Sequence, residues 1–261
     1  MWWKAVVLGI VEGVTEFLPI SSTGHLIVAS ELVQYPEASR ATFEIFIQLG
    51  AILAVTGLYA RQLTDVVSRT PHDRSARELL AKVLLAFTPA AVAGFLLHHA
   101  IESHLFSPIV VACSLILGGV VIVAVERRRW RFDVRRIEET GWRQALLVGL
   151  AQVLSLIPGV SRAGATIIGG MLAGMDRPAA TQFSFYLSIP TLSAASLYSL
   201  FKARHVLAAA DALPLAVGFV AAFVSAWVVV RAFIGFVERH NFTGFGYYRI
   251  AAGIVIALFF R

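Results

Sequence analysis

The chain has 261 residues, of which 58% are hydrophobic and only 15% are charged, and its mean hydropathy is +0.76. A soluble domain of this size needs a polar surface that this composition does not supply, so we predict an all-α, polytopic membrane protein. The net charge of +6 does not indicate nucleic-acid binding, because seven arginines cluster in residues 127–143, directly after an apolar run. Basic residues in that position mark the cytoplasmic side of a membrane span and attract anionic membrane lipids.

The first unusual element is residues 11–25 ("VEGVTEFLPISSTGH"), where charged and hydroxyl side chains interrupt an apolar stretch. Glu12 and Glu16 are four residues apart, so on a helix both carboxylates project from one face. Two like charges in a low-dielectric site repel unless one is protonated or a cation lies between them. Hard oxygen ligands suit Mg²⁺ or Ca²⁺, so the pair predicts a divalent-cation site. The alternative is a wet helix face at the membrane surface.

Pro19 breaks this segment, and a run of polar residues follows the break: Ser21, Ser22, Thr23 and His25. A single hydroxyl there can cap the next helix, and a histidine can be purely structural. Capping alone does not require three hydroxyls and a histidine on the element that carries the glutamates. A neutral histidine can accept a proton or attack phosphorus, and a serine can attack when a base activates it.

A weak internal repeat relates the two halves of the chain at a spacing of about 140 residues, so that Ser21 falls on Ser161 and Gly24 on Gly164. Each half, at about 5–126 and 143–261, contains one broken segment followed by three apolar spans. Each arm of a broken segment is about half a bilayer long. We therefore predict one membrane domain of two inverted repeats, with six transmembrane helices and two re-entrant helix–loop–helix segments.

The second broken segment contains "PGVSRAGAT" (residues 158–166), with Arg162 opposite Ser22 of the first half. A charged side chain at bilayer depth costs at least ~2.5–3.5 kcal/mol on insertion scales, so it is usually paired and functional. The planar guanidinium of an arginine such as Arg162 binds phosphate oxygens bidentately. A helix that starts at this break would also aim its first N–H groups at an anion. The two halves together predict a site for a metal-bound phosphate. The alternative is a buried Arg–Glu pair that serves stability.

The motifs "EGVTEFLPISSTGH" and "PGVSRAGATI" resemble the two signature motifs of the bacterial undecaprenyl-diphosphate phosphatase family, which is known for bacitracin resistance. "TFEIFIQLGAILAV" and "FSFYLSIPT" also match its pattern, and the resemblance covers nearly the whole chain. Ala163 is a departure, because the pattern leads us to expect serine there. The resemblance implies hydrolysis of undecaprenyl diphosphate to undecaprenyl phosphate, with a divalent cation, at the outer face of the bacterial plasma membrane. This reaction recycles the lipid carrier for cell-wall synthesis.

Together, the residues and the resemblance give three sets of expected site residues. The catalytic set is Glu12, Glu16, Ser22, His25 and Arg162; the substrate-binding set is Ser21, Thr23, Ser161, Arg162, Gly164 and Thr166; the metal ligands are Glu12 and Glu16. We expect His25 to be the nucleophile or the base, with Ser22 as its rival. A secondary transporter or lipid flippase of the same architecture is the alternative, although transport does not require the histidine and the hydroxyl run.

The charges of the loops predict the orientation. Residues 61–82 and 127–143 are basic and are separated by two spans, whereas residues 98–106, a predicted loop between them, contain no Lys or Arg. The first broken segment then opens to the outer, periplasmic side, although Lys202 and Arg204 contradict the rule. Cys113, the single cysteine, lies in an apolar run, which excludes an intrachain disulfide and predicts a buried side chain. Small residues near Gly119 are compatible with a homodimer without indicating one.

Overall fold

The computed structural model describes residues 2–105, 107–128, 130–203 and 212–260. These ranges are helical apart from their connections and one isolated bridge between Val134 and Met175, which confirms the all-α prediction. The helices are α1 (Trp2–Thr15), α2 (Ser22–Leu32), α3 (Glu37–Leu58), α4 (Ala60–Arg69), α5 (Arg74–Leu105), α6 (Pro108–Glu126), α7 (Trp142–Val153), α8 (Arg162–Leu172), α9 (Arg177–Ala203), α10 (Ala212–Val237) and α11 (Thr243–Phe259). Short 3₁₀ turns occur at Ile137–Glu139 and Leu154–Leu156.

Four helical stretches of the described chain are long and apolar enough to cross a membrane: Ser39–Leu58, Arg74–Leu97, Pro108–Glu126 and Ala212–Val237. The protein is therefore an integral membrane protein. Helix α11 is apolar but has 17 residues. Helix α9 has 27 residues but carries hydroxyl side chains, including Ser184 and Ser188, which are fully buried together with Phe183 and Phe185. The part of α9 that carries these two serines is covered by other helices, so their hydroxyl groups are shielded from lipid.

Close glycine contacts allow the first helix of each half to approach a helix of the other half. A Cβ atom at Gly9 of α1 would lie 2.4 Å from the carbonyl oxygen of Gly218 in α10. A Cβ atom at Gly149 of α7 would lie 2.5 Å from the carbonyl oxygen of Ala86 in α5. The backbones of α1 and α10, and those of α7 and α5, are thus in direct contact, and this contact holds the starts of the two broken segments in place.

In each broken segment, the break between the two helices ends at a serine of unusual backbone conformation. Helix α1 stops at Thr15 and α2 starts at Ser22, while α7 stops at Val153 and α8 starts at Arg162. Ser21 and Ser161, the residues before α2 and α8, have φ values of 72° and 70°. A non-glycine residue in this sparsely populated region stores about 1–3 kcal/mol of strain, and such strain concentrates at functional sites.

Two expectations from the sequence are wrong. Cys113 is exposed on α6 rather than buried, because the apolar surface of a membrane helix faces lipid as well as protein. The backbone of residues 98–105, expected to be a loop, continues α5 as helix to Leu105, and the connection to α6 is short. Arg204, one of the two residues against the predicted orientation, lies outside the described residues.

Candidate active site

The two broken segments meet at the carboxylate of Glu16. The Ser22 hydroxyl, at the start of α2, donates to Glu16 Oε2 at 2.6 Å. Arg162 Nη2, at the start of α8, donates to Glu16 Oε1 at 3.1 Å and forms an ion pair with it. The side chains of Glu16 and Arg162 are both largely buried, so little water screens this pair. The structure thus brings together three of the predicted catalytic residues from the two halves of the sequence.

Arg162 is held on three sides, and one of its three nitrogens has no hydrogen-bond partner among the described residues. Its Nη1 donates to the carbonyl and hydroxyl oxygens of Ser184 in α9, both at 3.4 Å, and the guanidinium lies over the Phe17 ring at 5.4 Å from its centroid. Its Nε is buried and has no hydrogen-bond partner in the described part of the chain. An arginine with a free buried donor beside a carboxylate is poised to take another oxygen ligand such as phosphate.

Thr166 is connected to the Arg162 guanidinium through the Ser184 hydroxyl and makes no direct hydrogen bond to Glu16 in the described part of the chain. The Thr166 and Ser184 hydroxyl oxygens are 2.6 Å apart, and Thr166 also donates to the Arg162 carbonyl oxygen at 2.9 Å. Ser184 therefore joins Thr166 to the Arg162 guanidinium. Ser184 is not predicted from the sequence, because a serine in an apolar helix gives no signal that distinguishes it from a packing residue.

Glu12 provides the free oxygen that a cation site needs. It lies one turn before Glu16 on α1, it is only 2% exposed, and its Oε2 has no hydrogen-bond partner among the described residues. No group of three or more His, Cys, Asp or Glu side chains suitable for a metal occurs in the described part of the chain. A Mg²⁺ or Ca²⁺ site here would thus use these two carboxylates and complete its shell with substrate phosphate and water, which suits Mg²⁺. The residues fit that role, with Glu12 as the freer ligand.

His25 has a defined tautomer. Its Nδ1 lies 2.7 Å from the carbonyl oxygen of Ser21, which can only accept, so Nδ1 carries the proton. In the neutral ring Nε2 is then an acceptor, and the Tyr248 hydroxyl of α11 donates to it at 2.6 Å. The lone pair required of a base or a nucleophile is present, and Tyr248 covers it. The sequence position of Tyr248, at the start of an apolar run, predicts only an aromatic residue at the membrane interface and not a contact with His25.

The remaining predicted binding residues have unequal surroundings. The Ser161 hydroxyl accepts from the backbone N–H of Gly164 at 3.0 Å, which caps α8, and it lies 3.5 Å from the carbonyl oxygen of Leu18 in the other broken segment. Ser21 is buried, but its side chain does not cap α2. Thr23 is exposed, and in the described part of the chain no hydrogen bond joins its side chain to Glu16, so its role stays a prediction.

Arg249 of α11 is a further functional candidate, which was not among the residues predicted from the sequence. Only 1% of it is exposed, and it donates to backbone carbonyls of both broken segments, those of Pro19 and Gly159 among them. A signal was present, because a lone arginine in the apolar run of residues 246–260 is an intramembrane charge.

Comparison with known proteins gives the same assignment as the motifs. Residues 5–255 match the family described as bacitracin resistance protein BacA. This range includes the breaks in both segments and the cluster of residues around Glu16, which contains Ser22, Arg162, Thr166 and Ser184. The chain belongs to the BacA family. The predicted family resemblance is thereby confirmed.

Curated relatives of this BacA chain align over almost its whole length. Undecaprenyl-diphosphatase 2 of Rhodospirillum rubrum is 54% identical over 254 residues, which cover 97% of this chain and 93% of the relative. The undecaprenyl-diphosphatase of Laribacter hongkongensis is 50% identical over 253 residues, with coverages of 97% and 93%. That of Methylococcus capsulatus is 48% identical over 255 residues, with coverages of 98% and 93%.

Proposed function

We propose that this BacA protein hydrolyses undecaprenyl diphosphate to undecaprenyl phosphate and phosphate. The named relatives share about half of its residues over nearly the full length. The observation that carries the proposal is the chain of contacts from Ser22 through Glu16 to Arg162, which joins a hydroxyl, a base and a phosphate-binding cation. A transporter does not need a serine hydroxyl held against a carboxylate, so the hydrolase is favoured.

We further propose six transmembrane helices (α3, α5, α6, α9, α10 and α11) and two re-entrant segments (α1–α2 and α7–α8), arranged as inverted repeats. The backbone supports this arrangement, because α1 and α7 start at Trp2 and Trp142, and α2 and α8 start at Ser22 and Arg162. The strained serines before α2 and α8 keep the same spacing. Two such segments can meet near the midplane of the bilayer and form one site between them.

The basic loops support an active site on the outer side of the plasma membrane. Arg74 and Arg77 at the start of α5 are exposed, as are Arg127 and Arg128 after α6, and basic loops face the cytoplasm. With that orientation the first broken segment opens to the periplasm. The diphosphate then enters from outside, and its isoprenoid chain lies against the lipid-facing helices.

In the proposed first step, Ser22 Oγ attacks the terminal phosphorus while Glu16 takes its proton. The new O–P bond replaces the bond to the bridging oxygen, and undecaprenyl phosphate leaves. Arg162 neutralises charge on the phosphoryl oxygens in the transition state. A divalent cation held by Glu12 and Glu16 would neutralise further charge on the diphosphate. In the second step, the Tyr248 hydroxyl moves off His25 Nε2, which then takes a proton from the attacking water. The water oxygen forms the new bond to phosphorus as the bond from phosphorus to Ser22 Oγ breaks, and Glu16 returns its proton to Ser22 Oγ.

His25 is the second candidate nucleophile, because its unprotonated Nε2 carries a lone pair. The two candidates leave different covalent intermediates. We would quench the enzyme during turnover of diphosphate labelled in the terminal phosphate and locate the label by mass spectrometry. Acid-stable label on Ser22 supports the proposed step, whereas acid-labile label on His25 assigns the attack to the histidine.

Phosphate release by the purified protein in detergent tests the function itself. We expect turnover of undecaprenyl diphosphate in Mg²⁺ or Ca²⁺, loss of turnover in EDTA and recovery when the cation is restored. A wild-type protein that releases no phosphate with either cation would contradict the hydrolase and favour the transporter or flippase. Turnover that is unaffected by EDTA would contradict the cation site at Glu12 and Glu16.

A further inference from the structure

Arg249 is buried, and in the described part of the chain every hydrogen bond of its guanidinium goes to a backbone carbonyl. Its Nε donates to the carbonyl oxygen of Leu115 at 3.4 Å, and its Nη2 donates to that of Ser114 at 3.2 Å, both in α6. Nη2 also donates to Gly159 at 2.9 Å, while Nη1 donates to Val160 at 3.0 Å and to Pro19 at 3.2 Å. A guanidinium has five N–H groups, so every donor of Arg249 is used.

The carbonyls that Arg249 binds come from the tips of both broken segments. Pro19 lies two residues before the strained Ser21, and Gly159 and Val160 directly precede the strained Ser161. Arg249 thus joins the two tips to each other and to α6.

Arg249 differs from Arg162 in what it can still bind. Arg162 pairs with a carboxylate and has a buried Nε without a partner in the described chain, so it can take a phosphate oxygen. Arg249 has no N–H left for a substrate and lies behind the helix starts that carry Ser22 and Arg162. Gly164, one turn into α8, would bring a Cβ atom 3.1 Å from Arg249 Nη1, which shows how closely the guanidinium packs under that start.

We propose that Arg249 is a positioning residue of the phosphatase site. By binding the carbonyls of Pro19, Gly159 and Val160, it fixes the distance between the two broken segments, and this distance sets the Arg162 guanidinium against the Glu16 carboxylate that also holds the Ser22 hydroxyl. This inference rests on the proposed function. The cost of burying the charge is offset by the five carbonyl contacts, so a neutral or differently shaped side chain would release both tips.

The test compares Arg249→Lys with Arg177→Lys, a matched change at a second arginine that binds Glu126 away from the cluster. Lysine keeps the charge but has three donors on one nitrogen and cannot reach carbonyls on three segments. Since a misplacement of about 1 Å costs about a hundredfold in rate, we expect kcat of Arg249→Lys to fall by about that factor. KM should stay within about threefold, because Arg249 has no donor for substrate. Arg177→Lys should leave kcat within about threefold of wild type.

A kcat near the wild-type value in Arg249→Lys would overturn the proposal, and so would a raised KM with unchanged kcat, which is expected of a substrate ligand. If Arg249→Lys does not fold, Gly118→Ala decides, because its Cβ would lie 2.3 Å from Arg249 Nη2 and displace the guanidinium. Gly235→Ala is its control, since a Cβ there meets nothing within 4 Å. Absence of phosphatase activity in the wild type would refute the proposed function, whereas an active wild type with an unaffected Arg249→Lys refutes only this inference.

Discussion

Replacing Glu16 by glutamine is the sharpest test of the cluster, because this carboxylate accepts hydrogen bonds from both halves of the chain. A glutamine side chain has the same shape, but one of its two terminal atoms becomes a donor and faces either Ser22 or Arg162, which also donate. Loss of a positioned base costs about 10²–10⁴ in rate. This range corresponds to about 2.7–5.4 kcal/mol in the activation barrier.

The same substitution also removes the partner of a buried charge, so stability has to be measured alongside activity. Breaking a buried ion pair by removing one member costs about 3–5 kcal/mol. We expect a smaller loss in the free energy of unfolding, because Glu12 also attracts the Arg162 guanidinium and remains in the variant.

The assay is phosphate release under saturating undecaprenyl diphosphate, with thermal unfolding in detergent measured on the same preparation. Glu126→Gln is the matched control, since Glu126 is buried and pairs with Arg177 but lies away from the cluster. Both variants should unfold at lower temperature, whereas only Glu16→Gln should lose kcat. If Glu16→Gln keeps more than about a tenth of the wild-type kcat, or if Glu126→Gln loses as much, the carboxylate is not a base for Ser22.

Three further variants test single contacts. Ser22→Ala should lower kcat by at least about a hundredfold and abolish the covalent phosphoenzyme, and a persistent intermediate would exclude Ser22 as the nucleophile. Tyr248→Phe uncovers His25 Nε2, so His25 should react faster with diethyl pyrocarbonate; an unchanged rate would contradict the hydrogen bond. Gly13→Ala would place a Cβ atom 2.4 Å from a carbonyl of α10 and should lower the unfolding temperature, unlike Gly235→Ala, which meets open space.

The sequence alone predicted the main members of the site because each has a local signal. The four-residue spacing of Glu12 and Glu16 predicts both carboxylates on one helix face, and Pro19 predicts a break, which in the structure begins after Thr15. An arginine in the second broken segment is costly in a membrane unless it is paired, and the structure pairs it with Glu16. These residues can be recognised from residue type and spacing alone, without knowledge of how the helices pack.

The residues that the sequence did not predict act through tertiary contacts. Ser184 matters because α9 turns that face toward Arg162. The hydroxyl residues of α9 also lower its hydropathy, and α9 is not among the apolar spans of the described chain. The Tyr248 hydroxyl reaches His25 Nε2 because α11 passes close to the first broken segment. Neither contact has a signature in residue spacing, because the face of a helix that meets a partner is set by packing with distant helices.

The repeat explains why one site, rather than two, is expected from two similar halves. One backbone feature recurs at the predicted spacing, since Ser21 and Ser161 share their unusual φ values. The chemistry is not, because Gln152 and Leu156 occupy the positions that correspond to Glu12 and Glu16, and the second half therefore lacks both carboxylates. Its own contribution is Arg162, at the position of Ser22. Under the proposed function each half supplies what the other lacks, so activity depends on the separation of the two tips, which Arg249 is proposed to fix by binding both of them.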